Sequence, residues 1–409
     1  MTSSPLQFIT FASTEAQVKS ALHAGATHLI LEDSKLSLRS FNDDFSTPGF
    51  DKLIHLATVA KTSNPQCSLS FNLDIMPHAI HFPLIHQLAD TLTAAKISIV
   101  RVQDPGLAEW FRENAPHISL ILNTETGNQN TEGIAYYSTL FKGQVLVNDI
   151  PKADINRIIS QIPSHHFEIQ VQGPILIQNS PRPFLNKIKP QLPHSQSPIT
   201  IVRSQAHEYP GRFFTFYQNP HAHLMYSYFD KSLLRSIPDL VDLNLSGWII
   251  DGRGYNDAYT TTCLTLYRSL YHRYSQNPET YQVNTEDSDA LDKVATLPQK
   301  PGFFKINQTD QDRPKKSDHS HIEIGVIIDA IKGEWVCAEV KKSFHTSTPL
   351  KMITPEGKHV PIAHPELVSI WDIPLIDTLI TPSETPLIKF KWQKGCQIKS
   401  RLVLDTEII

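Results

Sequence analysis

Twelve polar residues in the first 253 positions stand at or near the ends of short apolar runs, where a fold can gather them into one site. They are Asp33, Asn72, Asp74, Gln103, Asp104, Asn123, Glu125, Asn148, Asp149, Gln172, Asp251 and Arg253. The chemistry they suggest is acid–base work beside an anion grip. Asp251 is expected to orient a ligand or accept a proton, and Arg253 to hold a phosphate or carboxylate through its planar fork, with Asn72, Asp104 and Gln172 lining the pocket. For each residue alone the plain alternative is a helix N-cap or a turn former. For Asp251 and Arg253 it is an ion pair that ties neighbouring segments together.

The elements that must carry these residues repeat eight times. The runs are Gln7–Ser13, His28–Asp33, Ser68–Asp74, Ile97–Asp104, Ser119–Glu125, Gln144–Asp149, Phe167–Gly173 and Gly247–Arg253. Near-continuous apolar runs followed by amphipathic stretches indicate parallel strands covered by helices. The first helix is expected over Thr14–Ala24 with Gly25 as its stop, and His81–Lys96 repeats the arrangement with Leu84, Leu88, Leu92 and Ala95 on one face. Eight such units predict a (β/α)8 TIM-like barrel, whose sites form at the C-terminal strand ends. An open doubly wound sheet would call for a glycine-rich turn after the first strand, where Phe11-Ala12-Ser13-Thr14 stands instead.

Bulk properties narrow the class. The 409 residues are 40% hydrophobic, as in ordinary globular proteins, and carry a net charge of −4, which gives no global attraction to nucleic acid. No apolar run approaches the ~20 residues needed to cross a bilayer. With no basic-then-apolar leader after Met1, a cytoplasmic location is expected. Cys67, Cys263, Cys337 and Cys396 are too scattered for a disulfide framework or a zinc ribbon.

The barrel is expected over residues 1–275, a linker over 276–321 and a small C-terminal β-barrel domain over 322–409. Within the first part, residues 174–235 exceed an ordinary barrel loop. From Pro181 to Arg235 this segment has Arg182, Lys187, Lys189, Arg203, Arg212, Lys231 and Arg235 against only Glu208 and Asp230, 7 − 2 = +5, among many aromatic residues. Cations for phosphates and rings for bases are what single-stranded nucleic acid needs, which makes Arg182 and Arg212 candidate binding residues. The plain alternative is a small aromatic core, with Phe213–Tyr217 as a buried strand. His221-Ala222-His223 and His319-Ser320-His321 lack companion ligands, and no metal site is expected. In the last part, Ile322–Ile328, Trp335–Val340 and Leu350–Thr354 read as strands, with turns at Lys332–Glu334 and Pro355–Lys358. Lys389, Lys391 and Lys394 fall on the last strand pair, read as a charge-protected edge or an RNA-facing surface.

Several strings, in order, resemble peptidase family U32, the collagenase-like peptidases. They are Leu36-Ser37-Leu38-Arg39 followed by Phe45, Phe71-Asn72-Leu73, Val102-Gln103-Asp104-Pro105-Gly106, Glu168–Gly173 (EIQVQG), and Ser232–Arg253 with Tyr259–Tyr271. The resemblance implies a barrel and, in longer members, a C-terminal domain similar to the barrels of translation factors. It also implies an iron–sulfur cluster held by cysteines. Here the first two of those positions read Leu176 and Pro183, neither with a donor atom for iron, so a cluster of the family type is expected to be absent. The family's histidine before the glycine is Gln172, while Asp251-Gly252-Arg253 keeps the acid and the arginine. By resemblance the function is RNA modification of the hydroxylating kind, with transfer or ribosomal RNA as partner and no cluster of its own. The alternatives are a non-catalytic scaffold with a protein partner, or the peptidase of the family's name. Against the last stands the lack of a G-x-S-x-G elbow, an H-E-x-x-H helix or a Cys–His arrangement.

Overall fold

The computed structural model describes residues 5–41, 45, 48–125, 127–187, 197–205, 212–305, 322–354, 358–362, 365–398 and 400–405. The chain divides into two compact units, one made of residues 1–204 and 212–309, the other of 205–211 and 310–409.

In the first unit, all eight expected runs are strands: β1 (Gln7–Phe11), β2 (His28–Leu31), β3 (Ser68–Leu73), β4 (Ile99–Val102), β5 (Ser119–Leu122), β6 (Gly143–Leu146), β7 (His166–Ser180) and, after an insertion, β11 (Gly247–Ile250). Each pairs in parallel with the next, and β11 closes the ring by pairing with β7 on one side and β1 on the other. This is a TIM-like barrel. Helices α1 (Glu15–His23), α2 (Phe50–Ser63), α3 (Phe82–Ala94), α4 (Pro105–Asn114), α5 (Thr131–Ser138), α6 (Lys152–Gln161), α7 (Ile237–Asp242) and α8 (Asp257–Gln276) cover it. Their starts follow local chemistry: Thr14, Asp104, Asn130 and Asn256 each accept a backbone N–H of the first turn, satisfying a donor the helix leaves open. Gly25, at φ +101°, ends the first helix as expected. In α3, Leu88 and Leu92 are buried at the i, i+4 spacing read from the sequence.

The long insertion between β7 and β11 extends the barrel wall. β7 runs on past the ring, and β8 (Thr200–Ser204), β9 (Phe214–Gln218) and β10 (His223–Ser232) add to it as antiparallel neighbours in the order β7–β10–β9–β8. Phe214–Tyr217 lie in a strand in which Tyr217 is buried and Phe214 and Phe216 are half-buried, while Phe213 lies outside it and is exposed. The expected linker is corrected over its first part. Its α9 (Thr285–Asp292) buries Leu291, its β12 (Gln299–Lys300) pairs with β10, and Phe304 joins the barrel core at 1% exposure. The apolar residues interrupting that polar stretch are what dock it. His319 and His321 lie outside the described residues.

The second unit is antiparallel. β13 (Glu323–Ile331), β14 (Trp335–Val340), β16 (Leu350–Ile353), β17 (His359–Ile362), β18 (Val368–Ser369), β20 (Leu387–Lys391) and β21 (Arg401–Leu404) form a half-barrel in the order β17–β16–β21–β13–β14–β20–β18, and β15 (Phe344–His345) pairs with β19 (Leu379–Ile380). Alternation fills its inner face with Ile324, Val336, Met352, Ile388, Phe390 and Leu402. The strand carrying Lys389 and Lys391 is not an edge, because it lies between β14 and β18.

Candidate functional site at the barrel mouth

The barrel interior follows from period-two alternation: Ile9, Ile30 and Ile249 form an apolar layer with Phe11 and Val145, and polar layers lie on both sides of it. Below, Arg101 on β4 forms a two-pronged ion pair with Glu168 on β7 (2.6 and 3.1 Å), and both are buried. Ser70 bridges Arg101 Nε (2.9 Å) to His28 Nε2 (2.8 Å), and His166 reaches Glu168 at 2.9 Å. Burial and the Arg101 charge pull His28 down to about 3, so it is neutral at pH 7. Burial works against the ionised Glu168, and Arg101 and His166 overcome it, holding this carboxyl far below its usual range.

Above lies the mouth. The segment after β2 is pinned by Asp33, whose carboxylate accepts the Lys35 (2.9 Å) and Gly49 (2.6 Å) amides, and by Asp74, which accepts the Leu38 amide at 2.6 Å. That fastening delivers Arg39 into the mouth, where it pairs with Glu125 and stands 3.8 Å from Asp251. Glu125 has φ +56°, an uncommon conformation for a residue with a side chain, and its carboxylate meets Arg39 there. Arg253 is gripped by Asp251 through two hydrogen bonds (3.0 and 2.7 Å) and by Glu32 through a third (2.7 Å), and its guanidinium lies 3.5 Å from the centre of the Phe11 ring. Asn72 donates to Glu32 at 2.9 Å.

Four carboxylates (Glu32, Asp74, Glu125 and Asp251) thus face two guanidiniums, and the proton affinities of Glu32 and Glu125 separate from that of Asp251. Burial raises Glu32 and Glu125 above the usual carboxylate range despite Arg253 and Arg39. Burial also opposes the charge on Asp251, but Arg253 and Arg39 win there and hold it below that range. Carboxyls driven apart in this way supply a proton carrier beside a fixed anion. Three buried polar atoms here, Arg39 Nε, Asn72 Oδ1 and Asp74 Oδ2, have no hydrogen-bond partner among the described residues. A buried polar atom left unpaired is costly, so these mark where a ligand or water would bind. A cavity of about 20 Å³, room for one water, adjoins the cluster between Arg39, Arg101, Asn123, Asn148, Gln170 and Asp251.

Of the twelve residues singled out in the sequence, Asn72, Asp74, Glu125, Asp251 and Arg253 meet in this cluster, and Asn123 and Asn148 line the adjoining cavity. Asp104, Gln172, Arg182 and Arg212, also expected to bind, stand elsewhere. Asp104 caps α4, accepting the Leu107 amide at 2.6 Å. Gln172 is turned out of the barrel: the β7–β11 register slips by one residue between Gln170 and Gln172, a bulge that sends its side chain to Tyr259 (2.7 Å) and Gln299 (2.7 Å). Arg182 is exposed beyond the end of β7, and Arg212 lies over the Tyr228 ring at 5.0 Å. Lys231, counted in the sequence with the basic surface, is buried at 3% exposure. Sequence reasoning missed Glu32, Arg39 and Arg101. Counting by twos from His28 through Ile30 would have put Glu32, not Asp33, inside. Gly173, at φ +118°, lets β7 and β11 approach at the mouth, since a Cβ there would stand 2.1 Å from the Asp251 carbonyl oxygen.

The cysteine donors do not fit an iron–sulfur cluster. Leu176 is buried on β7 opposite Tyr226, Cys67 and Cys263 are buried in the barrel unit, and Cys337 and Cys396 belong to the other unit. Burial pushes the Cys67 thiol up to about 11 and raises the other three, disfavouring the thiolates a cluster requires. Among the described residues, no group of three or more His, Cys, Asp or Glu is placed to hold a metal ion, and no helix is long and apolar enough to cross a membrane.

Fold and site define a TIM-type barrel protein with a charged, carboxylate-rich mouth. Residues 13–314 match the family model described as peptidase family U32, and the chain belongs to that family. It is 21% identical over 296 residues to "tRNA hydroxylation protein P1" of Bacillus subtilis (strain 168), covering 71% of this chain and 68% of that protein. Among solved structures, it is similar to N-acetylneuraminate lyase from Fusobacterium nucleatum (TM-score 0.38, 8% identity, 70% of this chain and 79% of that one). A native KDPGal structure gives TM-score 0.38 at 9% identity, covering 68% of this chain and 98% of that one.

Proposed function

We propose that this protein is a factor of RNA modification acting on transfer RNA, with the barrel mouth as its site and without an iron–sulfur centre of its own. The observation that carries this reading is the similarity, over 296 residues, to a protein named for tRNA hydroxylation. The mouth supports it. Glu32 and Glu125 can carry a proton next to an ionised Asp251, and the unpaired Asp74, Asn72 and Arg39 atoms offer two acceptors and one donor to a polar ligand. Arg253 acts differently from the sequence expectation: Asp251 and Glu32 already occupy its fork, so it positions Asp251 rather than gripping an anion itself. The redox step of a hydroxylation has no centre among these residues and would need a partner protein to supply it.

The second reading, a non-catalytic scaffold, is favoured by the small cavity and by that self-paired arginine. Nucleoside mass spectrometry of transfer and ribosomal RNA from cells with and without the protein separates the two. Loss of a hydroxylated base, restored by the wild-type gene but not by Asp251→Asn, is expected. An unchanged profile would favour the scaffold.

A further inference from the structure

The geometry points to Lys231 as a nucleophilic amine at the barrel mouth, one that condenses with the carbonyl carbon of a small aldehyde or ketone. This inference does not depend on the RNA reading. Lys231 stands on β10 opposite Gly173, where β7 leaves the ring, and its side chain crosses to the end of β6. There Nζ donates to Asn148 Oδ1 at 2.9 Å, and Asn148 in turn donates to Gln170 Oε1 at 3.1 Å. Both amides line the cavity at the mouth. Lysine is rarely this buried without a carboxylate in contact. Among the described residues, no carboxylate forms an ion pair with Lys231, whose hydrogen-bond partner Asn148 is a neutral amide.

The charged groups around it explain why the amine is poised. Asp149, exposed at the mouth, is near enough to favour the ammonium, but burial outweighs it and pulls Lys231 down to about 7. Asp230, next in sequence, is engaged by Tyr255, Tyr259 and Gln299. Lys300, beside Lys231 on β12, turns to Tyr228 and Phe229. At neutral pH about half of such an amine is unprotonated, against on the order of one part in two thousand for an ordinary lysine. The unprotonated amine is the nucleophilic form.

The reaction balances without an oxidant. The Nζ lone pair forms a bond to the carbonyl carbon, the carbon–oxygen bond breaks, and oxygen leaves as water with the two amine protons, giving an imine. The cavity beside Asn148 has room for the one water that the reaction releases.

The test uses the full chain, acetaldehyde and cyanoborohydride at pH 7, with peptide mass spectrometry following each lysine. Lys231 should be alkylated at least tenfold faster than the exposed Lys52 and Lys142. The preference should vanish in urea and shrink at pH 10, where every lysine is substantially neutral. Labelling of Lys231 no faster than Lys52 in the folded protein would overturn the proposal and leave the residue as a buried donor to Asn148. Because the decisive comparison is made within the wild-type chain, it survives if Lys231→Arg fails to fold. A folded Lys231→Arg protein should lose the fast site alone.

Discussion

The two charged layers of the barrel interior use the same residue types to opposite ends. In the lower layer one guanidinium meets one carboxylate, a neutral histidine and a serine complete the bonding, and Glu168 is held ionised. In the mouth, four carboxylates face two guanidiniums, two of those carboxyls are driven toward protonation, and three buried polar atoms are unpaired. A balanced layer with no polar atom left unpaired serves chiefly to hold strands together, even though Arg101 also borders the cavity. An unbalanced one costs stability, and such costs collect at sites that bind.

The largest effect that could break this contrast is expected in the lower layer. Arg101→Met leaves Glu168 buried without its counter-charge and should cost ~3–5 kcal/mol in urea unfolding. The Arg101→Met/Glu168→Leu pair should recover much of that loss. A cost below ~1 kcal/mol for the single change would remove the structural role given to this layer.

Next in size is the response to acid. His28 has a folded value of about 3 against 6.5 unfolded, so the unfolded chain takes its proton first. Its contribution to stability is complete above pH 6.5 and is lost as pH falls toward 3, at about 1.4 kcal/mol per pH unit. Glu168, whose folded value is lowered, adds a loss below about pH 4.5. Glu32 and Glu125 act with the opposite sign: their folded values are raised, and protonating them as pH falls relieves the mouth. Unfolding free energies measured from pH 7 to 4 should decline in the wild type and decline less in His28→Gln. An unchanged slope in that variant would remove His28 from the account.

Glu32→Gln sharpens the comparison from the other side. It removes a carboxylate that burial disfavours while keeping an acceptor for Arg253, so stability should be unchanged or higher, whereas Glu168→Gln should lower it. If both variants lose stability alike, the two layers do not differ as described. The smallest effect is at the helix cap: Asp104→Ala should cost ~1 kcal/mol and leave the modified-nucleoside profile unaltered. A lost modification with intact folding would return Asp104 to the site.

The strands were legible because each is a short, nearly unbroken apolar run, and the helix starts because their caps are local side-chain chemistry. Asp251 and Asn72 could be placed in the mouth because they end such runs. Gln172 could not, since the bulge that rotates it outward depends on how β7 and β11 pair, and no single strand records its partner's register. Arg39 was hidden for a related reason. It lies on an irregular segment whose course is set by Asp33 and Asp74, one of them distant in sequence. Lys231 was misread because composition counts charges without saying which are buried.

The length of β7 has a further consequence. It leaves the ring at Gly173 and continues to Ser180, up to about 20 Å further at strand rise. The extension that ends before Arg182 and the ring wall packed on Asp251 through Gly173 are therefore parts of one continuous strand, with no loop between them to absorb a displacement of either.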